Sequence, residues 1–184
     1  MLRGVSDFAG SQLNVEGAVC VAGVVRFFNR GNGSKRGTLV PVNATCDIPL
    51  PGLLSYLRAP DSAPVPAMTN VVRYDLGSLQ DVPLGFTDAA LHSDTVFYSA
   101  TAENTNDAVA DGPVAGSVIG IIGPDTDARW ATLTRPDGTA YRAKVEGLLG
   151  LHTQPSQLFL VVDVDDPHVP SMLCIAELRG PWVR

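Results

Sequence analysis

The sequence has little of several features on which common functional classes depend. Its three cysteines, at positions 20, 46 and 174, are too few and too scattered for a disulfide framework or a CxxC zinc site. Lys and Arg number 13 against 19 Asp and Glu, and the formal net charge of −6 argues against a nucleic-acid surface. No apolar run approaches the roughly 20 residues of a membrane helix. The first residues lack the apolar stretch of a signal peptide, so we expect a cytoplasmic protein without a membrane partner.

Short motifs of the common catalytic families are also absent. The sequence contains no G-x-S-x-G elbow, phosphate-binding P-loop, G-x-G-x-x-G fingerprint or H-E-x-x-H zinc motif. The sequence therefore contains no motif that would indicate a serine hydrolase or a nucleotide-binding protein. Charged residues make up only 17% of the chain and hydrophobic residues 45%, which excludes a disordered tail and fits one folded domain over residues 1–184.

What the chain does contain is turns and short apolar stretches. It has 18 glycines and 14 prolines, a composition that favours many turns over long helices. One helix is predicted over residues 50–58, where four leucines recur at helical spacing. The other apolar stretches are short, separated by turn residues and predicted to be strands. They span residues 18–21, 24–28, 38–42, 71–76, 89–91, 96–99, 117–122, 128–133, 147–151, 158–162 and 172–178.

Three segments of the chain resemble one another. Residues 14–19, 86–91 and 144–149 each place an acid (Glu16, Asp88 or Glu146) at the start of an apolar strand. After each come a second strand, a polar loop and a further strand, which is the order of a four-stranded propeller blade. We therefore predict an all-β fold of three four-stranded antiparallel blades, half of a six-bladed β-propeller, with the helix inserted in the first blade. The blades would span about residues 13–80, 83–135 and 141–180.

Blade topology predicts where the polar residues lie. The start of strand one and the loop between strands two and three share one face, so Glu16, Asp88 and Glu146 should line the mouth of a central channel together with the three polar loops. Three blades do not close a ring, and the two end faces would be large apolar patches. We expect a homodimer that completes a six-bladed ring, or a separate chain that supplies the other half.

Several motifs carry a resemblance to a known family. They read Asn14-Val-Glu-Gly-Ala-Val, Asn29-Arg-Gly-Asn-Gly, Pro83-Leu-Gly-Phe-Thr-Asp-Ala-Ala, Asp111-Gly-Pro-Val-Ala-Gly-Ser, Lys144-Val-Glu-Gly-Leu and Asp163-Val-Asp-Asp-Pro. Together they resemble the C-terminal half of a largely uncharacterised bacterial family of six-bladed propellers, similar to esterase-like phytases and SdiA-regulated proteins. The resemblance covers about residues 13–179. It implies a propeller fold and calcium-assisted hydrolysis of phosphate esters.

The predicted channel mouth is rich in carboxylates. The acids predicted on this face beyond the three leading ones are Glu103, Asp107, Asp111, Asp163, Asp165 and Asp166. Clustered carboxylates repel one another, and a hard cation, Ca²⁺ first and Mg²⁺ second, would relieve that repulsion. In this hypothesis Glu103, Asp107, Asp163 and Asp165 bind the metal. The leading acids catalyse hydrolysis of a small anionic ester, and Arg30 and Lys144 bind the substrate anion.

A structural role for the same residues is the alternative. Acids at strand starts and in turns commonly accept backbone N–H hydrogen bonds, and the leading acids would then tie one blade to the next. Arg30 and Lys144 would be salt-bridge partners of neighbouring acids. The corresponding functions are a non-catalytic interaction scaffold, or a degenerate half-propeller without enzymatic activity.

Overall fold

The computed structural model describes residues 1–105, 112–123, 127–151, 153–163, 166 and 168–182. These residues form three antiparallel sheets, so the fold is mostly β. The first sheet contains β1 (Val15–Val21), β2 (Val24–Asn29), β3 (Asn43–Pro49) and β4 (Thr69–Tyr74). The second contains β5 (Ser78–Leu79), β6 (Val82–His92), β7 (Thr95–Glu103), β8 (Val114–Ile122) and β9 (Ala128–Thr132). The third contains β10 (Lys144–Gly150), β11 (Gln157–Asp163) and β12 (Met172–Glu177).

Among the residues that the structure describes, helical structure is confined to the first sheet and the segment before it. A 3-10 turn (Leu2–Gly4) and the short helix α1 (Ser6–Ala9) precede β1, and α2 (Leu50–Arg58) follows β3 directly. The predicted bounds of α2 are confirmed, but its leucine stripe is not buried, since Leu54 and Leu57 are 41% and 64% exposed. In the described residues, none of the helices is long and apolar enough to cross a membrane.

The prediction of three equal four-stranded blades needs correction. All three sheets are meanders as predicted, but they have four, five and three strands, and the described residues do not divide into propeller blades. The strand predicted over residues 38–42 is also wrong, because the chain pairs over β3 instead. Apolar Ala44, Cys46 and Ile48 alternate there with polar residues, and their side chains are fully buried. This alternation is the period of a strand, and because Thr45 and Asp47 between them are buried as well, β3 is covered on both faces.

The three sheets pack in layers, with the second sheet in the middle. Its strand β6 contacts β1 of the first sheet and β10 of the third. Between the first two sheets, Phe86 packs edge-to-face on Phe28 and Tyr98, with ring centroids 5.2 and 5.1 Å apart. On the opposite side of the second sheet, Phe97 and Ile119 are among the residues that form a core with the third sheet. The leading strands of all three sheets are thereby brought side by side.

The N-terminal segment forms a further layer on the first sheet. Phe8 of α1 is completely buried against Ala44 and Cys46 of β3, and Leu2 and Val5 pack around it. The outer face of β3 and β4 is therefore covered by the chain itself. The third sheet, at the other end of the stack, has a core on its inner face.

Candidate functional site

The first strand of each of the hairpins β1–β2, β6–β7 and β10–β11 carries a β-bulge, four or five residue pairs before its turn. The pairing register skips one residue between Val15 and Gly17 in β1, and one between Val145 and Gly147 in β10. In β6 the register skips Thr87, so Thr87 is the structural equivalent of Glu16 and Glu146. Asp88, which the sequence aligned with these glutamates, lies one residue further along. A bulge re-aims the side chain it carries and strengthens the local twist.

The bulges bring six ionisable side chains together, which we call the charged junction. Its members are Glu16, Arg30, Asp88, Glu103, Lys144 and Glu146. Five of them lie where β1 and β10 begin or where β2 and β7 end, and Asp88 lies in the middle of β6. The charged junction therefore contains every residue predicted to be catalytic or substrate-binding. It joins these residues from three different sheets.

Arg30 links the first two sheets from an almost fully buried position. The residue is only 4% exposed, and its Nη2 donates to Glu103 Oε2 at 2.5 Å. The other carboxylate oxygen of Glu103, Oε1, accepts from the backbone N–H of Gly112 at 2.8 Å. The second terminal nitrogen, Nη1, lies 3.8 Å from Glu16 Oε1. Arg30 is thus held as an internal partner of two acids, and its close neighbour Gly85 leaves room for its side chain.

Lys144 and Glu146 form a second pair, at the start of the third sheet. Lys144 is 8% exposed, and its Nζ lies 3.1 Å from Glu146 Oε1. Across the sheet, Lys144 is in register with Asp163, whose Oδ2 accepts from the hydroxyl of Ser171 at 3.1 Å. Burial raises the pKa of Glu146, and the nearby Glu16 raises it further, while Lys144 and Arg30 oppose the shift.

Asp88 joins the second and third sheets through the backbone. Its Oδ2 accepts from the N–H of Leu148 in β10 at 2.7 Å. Burial raises the pKa of Asp88, and repulsion from Glu16 adds to this, although backbone N–H groups of Ala89 and Leu148 favour the ionised form. The charged junction holds four acids and two bases, so its carboxylates are only partly compensated.

A cavity of about 590 Å³ lies beside the charged junction, between the first and second sheets. Arg30 and Glu103 border it, together with Asn43, Tyr74 and Thr101. Cavities of this size accommodate small molecules in many proteins. Two of the charged groups in its wall, Arg30 and Glu103, are bonded to each other, while Arg73 pairs with Asp7 and Asp75 accepts from the backbone of Gly77.

Comparison with known proteins gives one match over most of the chain. Residues 2–167 match the model of a family of unknown function, DUF6910. The chain belongs to this family. No curated protein and no solved structure matches this DUF6910 chain.

The predicted metal ligands of the DUF6910 chain are not assembled into a metal site by the described residues. Both oxygens of Glu103 are bonded within the protein, and Asp163 bonds to Ser171. Asp107 and Asp165 lie outside the described residues. Within the described part of the chain, no three His, Cys, Asp or Glu side chains are grouped to hold a metal ion. The calcium ion that the propeller resemblance implies therefore stays a prediction, with two of its four predicted ligands engaged inside the protein.

Sequence analysis overlooked polar residues that brace the charged junction of the DUF6910 chain. Asn43 Oδ1 accepts from the N–H groups of Gly31 and Phe86 at 2.8 and 3.2 Å, and its Nδ2 donates to the Leu84 carbonyl. Buried hydroxyls pair nearby. They are Thr87 with Ser99 at 2.9 Å and Thr101 with Ser117 at 2.7 Å. The sequence does contain a signal for these residues, because each of them interrupts an apolar strand pattern. A polar residue in a buried strand needs a hydrogen-bond partner, so such interruptions indicate buried polar contacts.

Proposed function

We propose that the chain is a non-catalytic interaction scaffold, in which the charged junction fixes three sheets relative to one another. The observation that carries this proposal is the buried pair of Arg30 and Glu103. The side chain of Arg30 is 5% exposed and bonded to a carboxylate that is 3% exposed, so a predicted substrate-binding cation and a predicted metal ligand neutralise each other. Asp88 is likewise engaged, in a bond to the backbone of the next sheet.

We further propose that the arrangement of the three sheets is derived from half of a propeller-like ring, related to the phytase-like family that the motifs resemble, and that this chain does not close such a ring. Two features support this relationship. The leading strands β1, β6 and β10 lie side by side, and each carries its bulge at the equivalent position. On this interpretation the charged junction corresponds to the channel mouth of a complete ring.

The second candidate function is the calcium-dependent hydrolase. One observation favours it, namely that Glu16 raises the pKa of both Asp88 and Glu146 by repulsion. A bound cation would relieve that repulsion, with Ca²⁺ preferred over Mg²⁺ for flexible oxygen ligands. The described carboxylates alone do not form such a site, so this function would need ligands from outside the described residues, Asp107 and Asp165 among them.

Thermal unfolding with and without divalent cations separates the two candidates. A ligand that binds only the native state raises stability by about 2.7 kcal/mol at a concentration 100 times its Kd. The scaffold predicts the same Tm in EDTA, in millimolar Ca²⁺ and in millimolar Mg²⁺. A rise in Tm with Ca²⁺ that disappears in the Glu16→Gln, Glu146→Gln double variant would replace the scaffold with the metal-dependent function. The same proteins would be assayed for hydrolysis of p-nitrophenyl phosphate, where the scaffold predicts no rate above buffer.

A further inference from the structure

The outer face of the third sheet is apolar and exposed. Leu149, Phe159 and Ile175 are in register and form one row of side chains across the three strands. A second row pairs Val161 of β11 with Leu173 of β12. Four of these five side chains are substantially exposed. The exposed fractions are 60% for Leu149, 43% for Val161, 70% for Leu173 and 58% for Ile175. We call these five residues the open face.

The open face differs from the other end of the stack of sheets. There the chain covers its own first sheet, with Phe8 completely buried on β3. On the outer side of β1 the exposed residues are small, Ala18 and Cys20. Large apolar side chains are also exposed near the first sheet, Leu54 and Leu57 of α2 among them, but within the described residues only the third sheet exposes rows of them on a sheet face. Patches of this kind on soluble proteins mark interaction sites.

We propose that the open face binds the open face of a second copy of this chain, so that two third sheets pack face to face about a two-fold axis. This inference rests on the proposed scaffold function and names its partner. A two-fold contact uses the same patch on both copies, whereas any ring or head-to-tail contact needs two different patches. A ring closed by two copies would require the outer face of the first sheet, which residues of the N-terminal segment cover.

The size and charge of the open face fit such a dimer. Its side chains expose on the order of 500 Å² per copy, so two open faces together would bury about 1,000 Å², the threshold for a biological interface. No charged residue lies within the two rows. Glu177 lies at the end of β12 and is 3.7 Å from Arg179, which places an ion pair at the rim. An apolar centre with a polar rim is the usual composition of an interface.

The test is the mass of the protein in solution, measured by light scattering and sedimentation between about 1 and 100 µM. The parent is expected to sediment at twice the 19.4 kDa chain mass, and Leu173→Glu with Ile175→Glu at the mass of one chain. Leu57→Glu is the matched control, because Leu57 is 64% exposed but lies on α2. It should remain dimeric. The glutamate variant could fail to fold, so a second variant, Leu173→Thr with Ile175→Thr, is also tested. Threonine is common in strands and should preserve the third sheet, but it should still weaken the dimer.

Other outcomes separate this inference from its alternatives. A parent that stays monomeric up to 100 µM, or a dimer that survives both double variants, overturns it. A ring-closing dimer would instead be broken by Ala18→Arg, since Ala18 lies on the outer side of β1; the face-to-face dimer should tolerate this change. If the scaffold function is wrong, the Tm depends on Ca²⁺ or the protein hydrolyses the ester. Neither of these results would change the mass of the dimer, so the two proposals can fail separately.

Discussion

At the scale of single residues, the energetics of the charged junction depend on what happens when one partner is removed. Arg30 and Glu103 are both nearly buried, and replacing one member of such a pair strands the other charge in a poor solvent. We expect Arg30→Met to lower the free energy of unfolding by about 3–5 kcal/mol, measured by urea denaturation. Arg36→Met is the control, because Arg36 is exposed and its side chain donates to Gln12 at 3.3 Å. It should change stability by less than about 0.5 kcal/mol.

The same pair gives a sharper test through a double variant. Replacing a buried ion pair by apolar side chains of similar size is often neutral. Arg30→Met combined with Glu103→Met should therefore be more stable than Arg30→Met alone, a non-additive result that identifies the pair as the cause. If Arg30→Met alone costs less than about 1 kcal/mol, the guanidinium is solvated in solution and the junction is not the structural brace proposed here.

Glu146 gives a prediction for the dependence of stability on pH. Burial raises its pKa above the ordinary 4.5. As the pH rises from 4.5 through the raised value, the unfolded chain releases its proton before the folded chain does, so Glu146 lowers the stability over that window. Glu146→Gln carries no proton in either state and should reduce this loss. Chemical denaturation of both proteins between pH 4 and pH 8 measures the difference.

Asp47 is the opposite case to Glu146, because its pKa is lowered in the folded protein. Its burial raises the pKa, but hydrogen bonds from Arg26 and Asn70 outweigh burial and leave the pKa lowered. Asp47 therefore contributes stability above its ordinary pKa, and this contribution is lost as the pH falls through the lowered value. Asp47→Asn should be destabilised most at neutral pH. Equal responses of the Asp47 and Glu146 variants to pH would contradict both assignments.

At the scale of elements, one glycine controls how closely an aromatic ring can lie on its neighbouring strand. Gly120 of β8 is in register with Tyr98 of β7, whose buried ring lies directly over the glycine. A methyl group at position 120 would overlap the ring, so Gly120→Ala should cost about 1–3 kcal/mol by overpacking. Gly123→Ala is the control, because its new methyl would lie 3.6 Å from the nearest atom. Urea denaturation of both variants checks this, and equal stabilities would show that the ring moves freely.

Elements were predictable where one pattern dominated. Four leucines at helical spacing predicted α2 to the residue, and most strands appear within a few residues of the predicted bounds. β3 was not predicted because Asn, Asp and Pro are typical turn residues and all three occur in it, although Ala44, Cys46 and Ile48 alternate as in a strand. Side-chain burial of α2 was not predictable, because it depends on which face of the first sheet α1 already covers.

The bulges show a limit of reading repeats from residue types alone. Matching acid to acid aligned Asp88 with Glu16 and Glu146, whereas the backbone aligns Thr87 with them. The meander order was enough to predict that the leading acids converge. The meander order does not predict the distances between side chains. It therefore left open whether Arg30 and Lys144 bind a substrate or pair with acids. The register of a bulge follows from tertiary packing, which a single sequence does not contain.

At the scale of the whole molecule, the layers form a stack with two unlike ends. One end is closed by the N-terminal segment, and the other exposes the open face. Between them the charged junction crosses all three sheets, so the internal ion pairs and the proposed interface occupy different parts of the molecule. Variants of the junction should therefore change stability, and variants of the open face should change association.

The response of association to salt tests the apolar character of the proposed dimer. Each copy carries a formal charge of −6, so two copies repel one another at low ionic strength. Raising NaCl from about 0.05 to 0.5 M shortens the screening length and leaves apolar contacts intact. Sedimentation equilibrium should therefore give a dimer Kd that stays constant or falls a few-fold at high salt. A Kd that rises tenfold would mean that intermolecular ion pairs, and not Leu173 and its neighbours, hold the copies together.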